Sequence, residues 1–201
     1  VSRDLVQRLI ARGEGLSLGG EQRTCTILFA DIRGFTSIAE TSTPEELHEL
    51  LNGYFRVVIG AIVDRGGFID KFVGDKAMAL FTAGRDAGEG VAAALDAASD
   101  IVQRLRKVNR ERTAAGTHTI DVGIGVNTGE VMLGNIGSEE RMDFTAIGDA
   151  VNVADRLQSL AKAGEVVAGE GAVKLAPKRF GFRSLGQTAL NELVELNQRM
   201  R

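Results

Sequence analysis

Asp31 and Asp75 are the two residues of this sequence best placed for metal chemistry. Asp31 ends the apolar run Thr24 to Ala30 and precedes a glycine-bearing turn, and Asp75 follows Gly74 at what reads as the tip of a β-hairpin. Two carboxylates brought together repel and raise each other's pKa unless a cation lies between them. A pair of hard divalent ions, ~3.5–4 Å apart, would relieve that repulsion and suit phosphoryl chemistry. Beside Asp31, the turn Ile32, Gly34, Phe35 and Thr36 offers successive backbone N–H groups that can cradle phosphate oxygens. Asn152 and Arg156, four apart, present a carboxamide and a guanidinium from one helix face, both suited to phosphate oxygens and developing charge. Lys71 and Thr145 supply an ammonium and a hydroxyl able to read the edge of a base. Each position also has a plainer reading: Asp31 as a loop cap, Asp75 as a turn residue, Asn152 and Arg156 as a solvated polar stripe.

The elements that would hold these residues can be read from hydrophobic periodicity. Thr24 to Ala30 is a buried strand. A helix follows, with Thr43 as cap, Pro44 in the first turn and Glu46 completing a capping box. Leu47, Leu50, Leu51, Tyr54, Phe55, Val58 and Ile62 recur along it at helical spacing, and Gly66-Gly67 ends it. Phe68 to Val73 and Lys76 to Phe81 read as strands joined at Gly74-Asp75. A second long helix carries Val91, Leu95, Ala98, Val102 and Leu105 on one face. Thr119 to Asn127 is predicted as a strand and Glu130 to Ile136 as its hairpin partner, with the turn at Thr128-Gly129. Gly137 to Ile147 reads as a loop, Asp149 to Ala161 as a third helix and Val166 to Ala168 as a short strand. A short helix over Gly171 to Leu175 and late strands over Phe180 to Leu185 and Leu193 to Leu196 complete the chain.

This order predicts an α+β sandwich with a ferredoxin-like βαββαβ core plus C-terminal strands and a short helix. In such a core the first and third strands are neighbours, which would bring Asp31 and Asp75 together. Function has to come from the site, because unrelated activities share this fold.

The composition narrows the field. At 201 residues, with 44% hydrophobic and 25% charged residues, the chain fits one globular domain. A net charge of -3 leaves no basic footprint for nucleic acid. The single cysteine, Cys25, lies in an apolar run and reads as a buried small hydrophobe, and the composition points to a cytoplasmic setting. The chain opens on Val1. Residues 1–20, with a helical stretch over Asp4 to Arg12, read as a linker from an upstream regulatory region, and residues 21–201 as the catalytic domain.

Three collinear motifs then point to a family. Leu28-Phe29-Ala30-Asp31-Ile32-Arg33-Gly34-Phe35-Thr36, Asp70-Lys71-Phe72-Val73-Gly74-Asp75 and the stretch from Asp143 to Arg156 resemble the class III adenylyl and guanylyl cyclase catalytic domain. The resemblance covers roughly residues 21–186. It implies that Asp31 and Asp75, with the Ile32 carbonyl, hold two divalent ions, Mg²⁺ or in its place Mn²⁺. It implies that the backbone of Ile32, Gly34, Phe35 and Thr36 holds phosphates and that Lys71 and Thr145 read the purine. Asn152 would orient the ribose, and Arg156 would stabilise charge on the transferring phosphorus. It further implies a head-to-tail homodimer whose two sites each draw on both chains, with ATP as substrate and cyclic AMP as product. Adenylyl members pair lysine with aspartate or threonine, and guanylyl members pair glutamate with cysteine or serine; Lys71 with Thr145 fits the former. A guanylyl or mixed-specificity cyclase, and an inactive cyclase-like dimerisation module, are the competing expectations. One departure is a missing lysine: Leu185-Gly186 leads through Thr188 to Glu192 without the triphosphate-contacting lysine usual in the family.

Overall fold

The computed structural model describes residues 19–82, 86–138, 140–188 and 191–197. Eight strands and five helices appear among them. In chain order these are β1 (Gly19–Ile32), α1 (Phe35–Thr41), α2 (Pro44–Val63), β2 (Phe68–Val73), β3 (Lys76–Thr82) and α3 (Ala87–Ala114). They continue with β4 (Val122–Ser138), β5 (Arg141–Ile147), α4 (Asp149–Leu160), β6 (Val166–Ala168), α5 (Glu170–Leu175), β7 (Gly181–Thr188) and β8 (Asn191–Asn197). All strands join one sheet in the order β2-β3-β1-β4-β6-β8-β7, with β5 paired to β4. The first four of these strands, antiparallel throughout, give the predicted ferredoxin-like core.

Alternation along β1 divides the molecule into two layers of packing. Leu28, Ala30 and Ile32 face α2 and α3, meeting Tyr54, Ile62, Leu95 and Ile101. Cys25, Ile27 and Phe29 face the opposite side, where they pack with Ala150 and Ala154 of α4. Asp31 shares the parity of Ile27 and Phe29, so it belongs to the α4 side of the sheet. Cys25 is free and buried there, and burial pushes its thiol up to about 11, as suits an inert core residue.

The start of α2 forms as its sequence predicts. Thr43 accepts from the Glu46 N–H, the Glu46 carboxylate accepts from the Thr43 N–H, and Pro44 opens the helix. Phe35–Thr41 forms a short additional helix, α1, that periodicity did not reveal.

Two expectations are corrected. Thr119–Asn127 and Glu130–Ile136 are not the arms of a hairpin: Val122–Ser138 is one continuous strand that pairs with β1 from Val122 to Asn135. Thr128-Gly129 is strand interior, with the Thr128 hydroxyl 2.9 Å from that of Thr26 across the ladder. A Cβ at Gly129 would come within 2.9 Å of the Ala150 Cβ, so this glycine admits α4 and makes no turn. The stretch Gly137 to Ile147 is not a loop either. β4 turns near Glu140 and returns as β5, which places Thr145 opposite Gly134. The helical stretch expected at Asp4 to Arg12 lies outside the described residues. So do the side chains after Leu185 and the connection between β7 and β8, where the lysine was expected; the two strands pair antiparallel. No helix of the described residues is long and apolar enough to cross a membrane.

Candidate active site

β1 and β3 are adjacent, with Ala30 opposite Ala77, and this register brings Asp31 to the β2–β3 turn. Gly74 takes that turn with φ 63°, a left-handed conformation that a side chain would strain. Asp75 follows, and its Oδ2 accepts the Ile32 N–H at 3.2 Å. Asp31 is close enough to perturb Asp75. Burial first, and the neighbouring Asp31 charge second, push Asp75 up from 3.8 to about 6.

This pair fits a divalent cation chemically. It is a hard, all-oxygen donor set under like-charge repulsion, and a cation between the oxygens would offset that repulsion. Among the described residues no cluster of three or more His, Cys, Asp and Glu forms a metal site. Further oxygens would therefore come from backbone, water and a phosphate-bearing substrate, the usual arrangement for Mg²⁺.

Asp31 is held from the side by residues that sequence reasoning had not singled out. Gln158, fully buried near the C-terminal end of α4, donates its Nε2–H to Asp31 Oδ2 at 3.0 Å. Arg33 donates from Nη2 to the Gln158 carbonyl at 2.6 Å and brings Nη1 to 3.8 Å from the same Asp31 oxygen. Both contacts depend on glycines in β4. A Cβ at Gly123 would lie 2.2 Å from Arg33 Nε, and one at Gly125 would lie 2.3 Å from the Gln158 backbone nitrogen. From sequence, Gln158 looks like a polar residue on an exposed helix end; only its i+4 relation to buried Ala154 hinted otherwise.

The phosphate-cradle candidates divide. The Ile32 N–H is already bonded to Asp75, and the Arg33 N–H to the Asp121 carbonyl at 2.7 Å. Phe35 and Thr36 lie in the first turn of α1, where N–H groups have no acceptor within the helix. Gly34 precedes them in a left-handed conformation.

Asn152 and Arg156 project from the exposed face of α4. Ala154 and Gln158 occupy its buried face. Arg156 and Gln158 are two residues apart, or about 200° around the helix. Within one chain, then, the guanidinium leaves α4 on the side away from Asp31. A second contact, the ion pair of Lys76 Nζ with Asp155 Oδ1 at 2.5 Å, ties α4 to β3 beside Asp75.

Lys71 and Thr145 are brought together through a third residue. Thr145 Oγ1 donates to Asp70 Oδ2 at 2.8 Å, and Lys71 Nζ is 3.3 Å from the same oxygen. The Asp70 side chain has no exposure at all. Burial raises its pKa, and the bonds from Thr145 and Lys71 act against that rise.

Several large apolar side chains of β2, β4 and β5 are exposed. Phe72 and Val73 of β2, Met132 and Ile136 of β4 and Ile147 of β5 are between 37% and 62% exposed.

The sequence model of the adenylate and guanylate cyclase catalytic domain matches residues 20–198. An adenylate cyclase of Anabaena cylindrica is 44% identical over 154 residues, which is 74% of this chain and 30% of that protein. The terminal-differentiation-specific adenylate cyclase of Dictyostelium discoideum is 36% identical over 86% of this chain and 8% of its own length. The chain thus spans less than a third of these two relatives. The crystal structure of the adenylyl cyclase CyaB from P. aeruginosa superposes with a TM-score of 0.86 at 31% identity, over 92% of this chain and 98% of that one. A guanylyl cyclase structure superposes with a TM-score of 0.79 at 35% identity, over 89% and 93%.

Proposed function

We propose that this chain, which belongs to the adenylate and guanylate cyclase catalytic-domain family, converts ATP to 3′,5′-cyclic AMP and pyrophosphate at sites shared between two copies. The observation that carries the reading is the divided placement of its polar groups. Asp31 at the end of β1 lies beside Asp75 of the β2–β3 turn, Lys71 of β2 and Thr145 of β5 share Asp70, and Asn152 and Arg156 stand on the exposed face of α4.

In this reading Asp31 and Asp75, with the Ile32 carbonyl, hold two divalent ions, Mg²⁺ or in its place Mn²⁺. Such ions lower the pKa of a bound hydroxyl and neutralise charge on a leaving pyrophosphate. The chain's own residues do the rest. The first turn of α1 receives phosphate oxygens through the N–H groups of Phe35 and Thr36. Asn152 orients the ribose so that its 3′-hydroxyl lines up with the α-phosphorus. Arg156 meets the charge that builds on the phosphoryl oxygens as the new bond forms. Lys71 donates to adenine N1, an acceptor in adenine that carries a proton in guanine. Thr145 accepts from the 6-amino group.

The helix geometry supports sharing between chains. Arg156 and Asn152 leave α4 opposite the face that holds Asp31, so one chain's carboxylate pair is completed by another chain's guanidinium. A C2 pair makes two equal sites in this way. The exposed Phe72, Val73, Met132, Ile136 and Ile147 would be covered in such a pair. An upstream segment joined to β1 would regulate how the two copies meet.

Choice of substrate rests on the residues, since both adenylyl and guanylyl cyclase structures resemble this fold. The test is product formation from matched ATP and GTP with Mg²⁺ and then Mn²⁺, for the natural sequence and for Lys71→Glu with Thr145→Cys. Cyclic AMP should dominate for the former. The double substitution should move the ATP:GTP ratio of kcat/KM toward GTP by at least about a hundredfold, because it leaves polar groups mismatched to adenine. A ratio unmoved by the swap would contradict base reading by this pair.

A further inference from the structure

Asp70 and Lys71 share a side of β2, an arrangement that regular strand geometry would not give. Ile69 lies opposite Ala79 and Lys71 opposite Met78, so Asp70 is the extra residue of a β-bulge in β2. In an unbroken strand, neighbours point to opposite faces. Here the bulge lets Asp70 and Lys71 meet on one side, 3.3 Å apart. That side is the one that carries Phe68, which packs near Phe144 of β5 with ring centroids 6.5 Å apart. The bulge therefore sets Lys71 beside a fully buried carboxylate, which also accepts a hydrogen bond from Thr145 of β5. Burying an ionised carboxylate is costly unless specific partners offset it. Asp70 has two partners on Oδ2, and its Oδ1 is buried without one. An imperfectly satisfied buried charge beside a binding surface is better explained by a task there than by packing.

The task follows from donor and acceptor bookkeeping. A threonine hydroxyl has one proton and two lone pairs, and its rotor turns to suit its surroundings. An ionised carboxylate can only accept, so Asp70 takes the Thr145 proton into its hydrogen bond. Only lone pairs then remain for a ligand. The outward hydroxyl is an acceptor, which suits the 6-amino group of adenine and mismatches the 6-oxo group of guanine. The same oxygen anchors Lys71, whose ammonium is a donor for adenine N1. We propose that Asp70 is a specificity-positioning residue: without touching substrate, it fixes Thr145 as an acceptor and holds Lys71 beside it, so that the pair selects a 6-aminopurine nucleotide. This rests on the reading that Lys71 and Thr145 face the base.

The test compares Asp70→Ala and Asp70→Asn with the natural sequence. It reads kcat/KM for ATP and GTP, binding of 3′-deoxy-ATP and 3′-deoxy-GTP, and thermal melting. Asp70→Ala frees the Thr145 rotor and releases Lys71, and the ATP:GTP ratio should fall about tenfold to a hundredfold in both turnover and binding. Asp70→Asn keeps a neutral acceptor for Thr145 while losing the charge that holds Lys71, so its ratio should fall less. If Asp70→Ala does not fold, the fall of the Asn variant, severalfold or more, carries the test. Loss of ATP and GTP turnover in equal proportion, with the ratio intact, would make Asp70 a structural residue and overturn the inference. The Lys71→Glu, Thr145→Cys variant keeps the two readings apart. If it shifts preference while both Asp70 variants leave the ratio intact, base reading stands and the role of Asp70 falls. If it shifts nothing, base reading itself falls.

Discussion

Asp75→Asn is expected to lower cyclisation roughly a thousandfold or more, while the metal-free domain stays folded and becomes no less stable. The loss follows from the charge that two ions supply to a transition state: several kcal/mol of stabilisation corresponds to about three or more powers of ten in rate. The retained stability follows from the structure. Asp75 is pushed up to about 6 by burial and by Asp31, so its ionised form is unfavourable in the folded, metal-free protein. An amide keeps an oxygen for the Ile32 N–H and removes one of two repelling charges. The sign of the pH effect is fixed by linkage. A folded pKa above the unfolded one means that the native state binds the proton more tightly. The stabilising contribution is full below the unfolded value of 3.8 and is lost as pH rises through about 6. Melting of the metal-free protein should therefore improve as pH falls across that window, and Asp75→Asn should remove this component. Asp31→Ala should be equally inactive, but with some loss of stability, because Gln158 would lose its acceptor and Arg33 its ion-pair partner. Near-normal turnover in either variant would sink the metal assignment.

Arg156→Ala is expected to cut kcat by roughly a hundredfold to a thousandfold while KM changes little. Removing one preorganised donor aimed at developing charge costs about that much in other enzymes. The split between constants identifies the stage of reaction. An interaction that strengthens only as charge builds on the phosphoryl oxygens lowers kcat and kcat/KM together, whereas uniform binding appears in KM alone. Arg156 is exposed on α4 and its removal takes nothing from the core, so the melting temperature should hold. A change confined to KM would place Arg156 in ground-state binding of the triphosphate.

The sequence made the carboxylate pair readable because Asp31 ends a strongly apolar strand and Asp75 follows a turn glycine just before another. The capping box of α2 and the adjacency of β1 and β3 were equally legible, since both follow from local chemistry and a common topology. What escaped notice depends on contacts between distant segments. Thr128-Gly129 has the composition of a turn, yet Thr128 pairs with Thr26 across the ladder and Gly129 makes room for Ala150. The meaning of that glycine lies in a helix some twenty residues away. Asp70 was visible only as part of a motif, because nothing local announces a bulge. Its burial and its grip on Thr145 need β5, which the polar residues after Gly137 disguised as a loop. Gln158 reads as the polar end of a helix until Gly125 brings the α4 backbone against β4.

The shared site is tested most directly by mixing two inactive variants, Asp31→Ala and Arg156→Ala, under conditions of subunit exchange. In a mixed pair one site collects both lesions. The other joins intact Asp31 from one chain to intact Arg156 from its partner. Random exchange puts about half of the pairs in the mixed form, each with one sound site of two, so the mixture should recover roughly a quarter of natural activity if sites act independently. A mixture as inactive as its parents, with exchange verified, would contradict a site built from two chains.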